Sequence, residues 1–301
     1  MQRSKMMPAE SQERVKGMAI VGVGVLLISF DGLLIRLAQT QSWNVVFWRG
    51  LFTFVSLALV LTVSRGGQWV RPFLRGGWPA FVSAFLFGTG GTFFVVSVMF
   101  TKVANTVVII SSAPLFAALF TWMFRIDSVP LRTWLAIVSA LLGVAIVFFG
   151  SLGGGGLLGD AIAVLAACNA GGNLTLLRRN PVLERMPLVC VGGLIMAGMA
   201  WPLAQPLSLS GQSYIVLGIM GLMQMPAALF LIAQSTRYLP SPEVSLFLLV
   251  ETLLSTIWVW IFLGEDPPGL TLVGGVIIVA TLIVHSWLGL REMNRLQHLR
   301  V

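Results

Sequence analysis

The chain has 301 residues, of which 57 % are hydrophobic and only 10 % charged, and its mean hydropathy is +0.91. Soluble chains carry about 25 % charged residues, so this one cannot cover a water-facing surface, and its solvent is lipid. The formal charge of +8 comes from bases scattered over short connections, without the patch or stripe that a nucleic-acid partner requires.

Ten apolar runs follow one another at roughly 17–36, 43–64, 78–100, 104–124, 131–150, 157–177, 187–205, 213–235, 241–263 and 268–288. Most come close to the ~20 residues that cross a bilayer core as a helix, so the expected fold class is all-α with ten transmembrane spans. The first run follows a basic leader, as a secretory signal does. No small-x-small cleavage site follows Ile35 and nine runs come after, so it reads as an uncleaved first helix. SRGGQWVRPFLRGG after the second run reads as an interfacial loop. SLGGGGLLGD at 151–160 lacks the preceding strand and the Lys-Ser/Thr of a phosphate loop, and reads as a flexible hinge. Cys168 and Cys190 both lie in apolar runs, where a small buried hydrophobe is the expected role. No disulfide framework, metal spacing or cofactor motif is present.

If the N-terminus is cytoplasmic, sixteen of the nineteen Lys and Arg face the cytoplasm. Only Arg36 and Lys102 face outside, and Arg49 lies within the second span. That bias obeys the positive-inside rule for ten spans with both ends inside. The chain also repeats itself at an offset of 138: Pro114 answers to Thr252, Asp127 to Glu265, Pro130 to Pro268 and Thr133 to Thr271. The expected organisation is a tail at 1–16, five-span repeats at 17–150 and 151–290, and a second tail at 291–301. Five is odd, so the second repeat enters the membrane from the opposite side. Inverted halves with a site between them near mid-depth form a common transporter arrangement, in which rocking exposes the site to each side in turn.

Asp31 lies five residues before Arg36, and Arg49 six after Trp43, so each sits roughly 7–9 Å below the same surface at 1.5 Å per residue. Two lone charges in lipid are costly, and antiparallel neighbours at matched depth can pair, as a structural or gating ion pair or as direct substrate ligands. Ser111 and Ser112 precede Pro114, which cannot bond the Ile110 carbonyl. The result is either a packing kink or a carbonyl turned into a cavity. Asn169 and Asn173 share a face of the sixth span, and Gln224 lies in the middle of the eighth. These amides can hold a substrate or tie helices together.

Glu251 is the one charge well inside the ninth span, on a stripe with Val244, Phe247, Ser255, Trp258 and Phe262. Two roles stay open for it: a cavity-facing group that binds a substrate ammonium or takes a proton, or a hydrogen-bonded structural carboxyl. Its counterpart one repeat earlier is Ala113, so the acid breaks the pseudo-symmetry. Glu243, behind Ser241 and Pro242, suits a helix N-terminus, and His285 beside Trp287 suits a membrane interface.

WRG at 48–50, NTVVIISSAPLFAALFTWMF from Asn105, TRYLPSPEVSLFLLVETLLSTIWVWIFLGE from Thr236 and GGVIIVATLIV from Gly274 resemble the drug/metabolite transporter superfamily, EamA type. The resemblance covers nearly the whole chain. It departs at Thr252, where the family usually has Pro, and at Ile126-Asp127, where it usually has Gly-Glu. It implies ten helices, a central cavity lined mainly by spans 1–4 and 6–9, peripheral spans 5 and 10, no cofactor, and a monomer or a homodimer through span 10. It also implies export of small organic metabolites across the inner membrane, amino acids (including aromatic ones) being nearest. A nucleotide-sugar or drug carrier of the same fold is the closest rival. Channel or scramblase activity is a further alternative. A membrane transferase would need clustered acids or His pairs, and the chain has two histidines and no such cluster.

Overall fold

The computed structural model describes residues 3–66, 68–124, 131–151, 156–235, 238 and 241–298. Leu152 and the glycines at 153–155, Asp127 and Pro130 lie outside them, as do the side chains of Glu243 and His285. Every element among the described residues is helical: α1 Arg3–Ser29, α2 Asp31–Leu37, α3 Ser42–Arg65, α4 Val70–Arg75, α5 Gly77–Phe100, α6 Val103–Ile110 and α7 Ala113–Met123. There follow α8 Leu131–Ser151, α9 Leu157–Arg179, α10 Arg185–Ala200, α11 Gly211–Gly218, α12 Met225–Ser235, α13 Ser241–Leu263 and α14 Gly269–His298. A π-helical turn, Ile219–Gln224, joins α11 to α12.

This is an all-α, multi-span bundle. Among the described residues, six stretches are long and apolar enough to cross a membrane: Val15–Leu37, Ser42–Arg65, Gly77–Phe100, Val103–Met123, Leu157–Leu177 and Gly211–Ile232. Trp134–Gly150, Arg185–Ala200, Val250–Leu263 and Gly269–Thr281 are shorter apolar helices. Leu59, Val63, Phe149, Ile261 and Val276 are all more than half exposed, as a lipid-facing surface requires.

The structure differs from the sequence expectations in its breaks and ends. The first run is two helices, parted at Phe30. The fourth parts at Ser111–Ser112, because Pro114 in the first turn of α7 has no N–H to continue the ladder. Its counterpart α13 carries Thr252 and runs unbroken. The expected interfacial loop contains α4, and α14 continues past residue 290. The seventh run was expected to reach 205, but α10 stops at Ala200, shortly before Pro202, whose ring disfavours helix in the residue it follows.

The helices pair at backbone distance where glycines meet. A Cβ built on Gly50 of α3 would lie 2.6 Å from the Gly193 carbonyl oxygen of α10, and one built on Gly193 would lie 2.8 Å from that of Gly50. Gly143 of α8 and Gly274 of α14 repeat this reciprocity, at 2.9 and 2.5 Å. Without a hydrophobic drive between helices in lipid, such close packing is what holds spans together. Gly193→Ala should therefore destabilise the protein by ~1–3 kcal/mol, because the obstructing atoms are backbone. Gly198→Ala on the same helix meets nothing within 4 Å and should leave the melting temperature in detergent unchanged or raised. Equal effects of the two substitutions would show that the contact does not limit packing.

Candidate functional site

The three residues of the WRG motif point three ways because successive positions on a helix turn by about 100°. Trp48 donates from Nε1 to the Pro206 carbonyl at 3.1 Å and meets Tyr214 edge-on, with centroids 5.5 Å apart. Gly50 makes the contact with α10. Arg49 turns toward the break in the first span, where its Nη2 donates to Asp31 Oδ2 at 2.6 Å. The same nitrogen lies 3.7 Å from Met225 Sδ, and the Phe94 ring lies 5.5 Å from the guanidinium. Asp31 and Arg49 are 5 % and 4 % exposed, so the pair is cut off from solvent. Burial is expensive for each charge alone and tolerable for the two together.

The break at Phe30 is held by side chains from two other helices. Ser29 Oγ donates back to Leu26 O at 2.7 Å and accepts from Trp258 Nε1 at 2.9 Å, while Trp258 stacks on Phe30 with centroids 4.9 Å apart. Gln224, at the end of the π-helical turn, donates from Nε2 to Leu27 O at 3.0 Å. Ser255 is buried, and a Cβ on Gly32 would lie 3.1 Å from its hydroxyl. Glu251 is half-buried and lies close enough to Asp31 and Arg49 to feel both charges. It makes no hydrogen bond or ion pair among the described residues. Asp31, Arg49, Gln224, Glu251, Ser255 and Trp258 thus surround one locus.

The remaining candidates lie elsewhere. Asn169 donates to Thr89 Oγ1 at 2.7 Å, and Asn173 accepts from Ser83 Oγ at 2.6 Å, so both amides tie α9 to α5. Ser111 and Ser112 donate to the Val108 and Ile109 carbonyls at 2.7 and 2.6 Å, supplying bonds to the turn that Pro114 interrupts.

Sequence reasoning missed a polar network at the end of the bundle that carries Arg36. Asp160, fully buried, accepts from Thr101 Oγ1 at 2.6 Å and from Asn105 Nδ2 at 3.2 Å. Asn105 Oδ1 accepts from Thr271 Oγ1 at 2.5 Å. Beside it, Arg36 lies 3.3 Å from Glu265 and donates to Thr101 O at 2.8 Å. Glu265 accepts from the Val103 amide at 3.0 Å, and Lys102 donates to Asp266 O at 2.7 Å. A cavity of about 400 Å³, lined by Arg36, Lys102, Asn105 and Glu265 among others, lies against these bonds. At other bundle contacts, Arg65 pairs with Glu184 between two exposed side chains, and Lys16 sits over the Tyr238 ring at 5.3 Å. Among the described residues no group of three or more His, Cys, Asp and Glu is arranged to hold a metal.

The EamA-like transporter family profile matches residues 15–149 and again 158–287, nearly the whole chain. The chain belongs to that family. It is accordingly a multi-pass membrane protein and a secondary transporter of the EamA fold, not an enzyme. The transporter is 23 % identical over 195 residues to the uncharacterized transporter YdfC of Bacillus subtilis (strain 168), a match covering 62 % of this chain and 63 % of that protein. A solved structure described only as a crystal structure of a protein aligns with a TM-score of 0.62 at 17 % identity, over 92 % of this chain and 99 % of that one. At that identity the likeness concerns the fold alone.

Breaking the ion pair of the transporter from one side strands a charge, which costs ~3–5 kcal/mol. Asp31→Asn and Arg49→Gln should each lower the yield of monodisperse protein and its melting temperature, and the double variant should recover part of both. Additive losses in the double variant would mean that the two side chains stabilise the fold independently.

Proposed function

We propose that this transporter exports amino acids or similarly sized organic metabolites across the cytoplasmic membrane by alternating access. In this reading ten spans form two inverted repeats, 17–150 and 151–290, and both ends of the chain, 1–16 and 291–301, are cytoplasmic. The observation that carries the reading is the pattern of helix contacts. Shifting every span by five maps the packing of α1 on α12 onto that of α5 on α9, and the packing of α7 on α9 onto that of α1 on α13. The same shift maps the α3·α10 and α8·α14 pairs onto themselves. Both self-mapped pairs are the ones closed by reciprocal glycines. A bundle that exchanges with itself in this way has two related ways to pack, which is what alternating access needs.

The positive-inside bias puts the Arg36 end outside. The bonds from Arg36, Lys102 and Glu265 then close the outer mouth in this state. Asp31 and Arg49 serve as a gating pair beneath it, and Glu251 takes a substrate ammonium or a proton deeper in the membrane. Two acids and one base surround the locus, which disfavours polyanions and so the nucleotide-sugar alternative. Trp258, Phe30 and Phe94 suit an apolar or aromatic solute.

The test is uptake into liposomes of each of the twenty amino acids, with and without a pH gradient. One or more should accumulate saturably. Glu251→Gln, properly inserted, should lose about tenfold or more of the gradient-driven rate, which corresponds to ~1.4 kcal/mol in the barrier. An unchanged rate and pH profile would remove Glu251 from the mechanism. Non-saturating flux would point to a pore.

A further inference from the structure

Arg49 and Asp31 are joined by a single nitrogen and a single oxygen, whereas a guanidinium–carboxylate pair can make two parallel bonds. Arg49 Nε and Nη1 have no partner among the described residues, and neither does Asp31 Oδ1. Gln224 spends its amino group on helix-break carbonyls and leaves Oε1 without a partner. All three side chains are more than nine-tenths buried, at 5 %, 4 % and 6 % exposed for Asp31, Arg49 and Gln224. Leaving such groups unmet is costly, and more so when they are charged. Unmet donors on one charged partner, with unmet acceptors on the other and on a neighbouring amide, describe a ligand that carries both complements at once.

We propose that the half-made Asp31–Arg49 pair, with Gln224, is the head-group site for a zwitterionic α-amino acid, an assignment that rests on the export reading above. The substrate carboxylate takes the free N–H groups of Arg49, and its ammonium donates to Asp31 Oδ1 and Gln224 Oε1, so the gating pair is itself the head-group site and Glu251 is left to take the proton. Phe94 against the guanidinium and the Phe30–Trp258 stack next to Asp31 offer apolar surface to the side chain. Discrimination follows from charge. A bare acid meets Asp31 and Glu251 with no ammonium to offset them, and a bare amine leaves Arg49 unmet. Sites built to hydrogen-bond a group reject analogues that lack it far more strongly than apolar pockets reject a missing methylene.

The experiment uses the full chain in liposomes. The best-transported amino acid competes against its own deaminated acid and decarboxylated amine; for L-phenylalanine these are 3-phenylpropionate and 2-phenylethylamine. Both should compete at least about tenfold more weakly than the amino acid. Arg49→Lys keeps the charge but loses the free donors, and should raise the half-saturation concentration about tenfold with the maximal rate less affected. Should that variant fail to fold, Gln224→Met decides. By removing an ammonium acceptor it should narrow the gap between the amino acid and its deaminated acid, a ratio that loss of a merely structural bond would leave alone. Equal competition by either one-headed analogue overturns the site and leaves the export reading standing. So does unchanged half-saturation in Arg49→Lys, or an unchanged ratio in Gln224→Met. Wild-type liposomes that take up no amino acid overturn the site together with the amino-acid part of the export reading.

Discussion

Lipid neither donates nor accepts hydrogen bonds, so every backbone group released by a helix break must be met from within the protein. The breaks in this bundle obey that constraint. Where α6 gives way to α7, the hydroxyls of Ser111 and Ser112 bond carbonyls of the preceding turn. Where α1 gives way to α2, Ser29 does the same, and Gln224 reaches across from the π-helical turn of another span. Breaking a helix at depth is therefore a collective act, in which several helices must arrive together for one to bend. The Asp31–Arg49 pair applies the same rule to charge: each group is tolerable at that depth because the other is there.

The two sets of end contacts differ in kind. Arg36, Lys102 and Glu265 act through backbone carbonyls and amides as well as through each other, and they adjoin the buried Asp160–Asn105–Thr271 network. Arg65 and Glu184 are side chains alone, each more than 40 % exposed, and exposed pairs contribute ~0–1 kcal/mol. Among the described residues, the ties at the Arg36 end are therefore stronger than the Arg65–Glu184 pair.

Much of the architecture was legible because its causes are local. Apolar run length fixes the helices, Pro114 announces its break, and depth counting from Arg36 and Trp43 sets Asp31 level with Arg49. The break at Phe30 was not legible, since no proline marks it, Gly32 beside it is of a kind common within spans, and its support comes from Gln224 and Trp258 on distant segments. Asp160 stands in sequence at the end of a glycine-rich stretch that reads as a hinge. Its partners Thr101 and Asn105 lie together on a distant stretch and Thr271, which bonds Asn105, on another, and short polar residues in apolar runs carry no signal of which will meet. The helical polar residues divided in a way spacing could not settle: Asn169 and Asn173 went to helix ties, while Gln224 and Glu251 came to the ion pair.

The reciprocal glycines of α3 and α10, and of α8 and α14, set a limit on how this molecule can vary. At most packed positions a bulky substitution on one helix can be suppressed by a smaller residue opposite. Here the residue opposite is already glycine, and what it presents is its own peptide carbonyl. No second-site replacement can retreat further, so damage at these crossings can be repaired only by reversion or by moving whole helices apart.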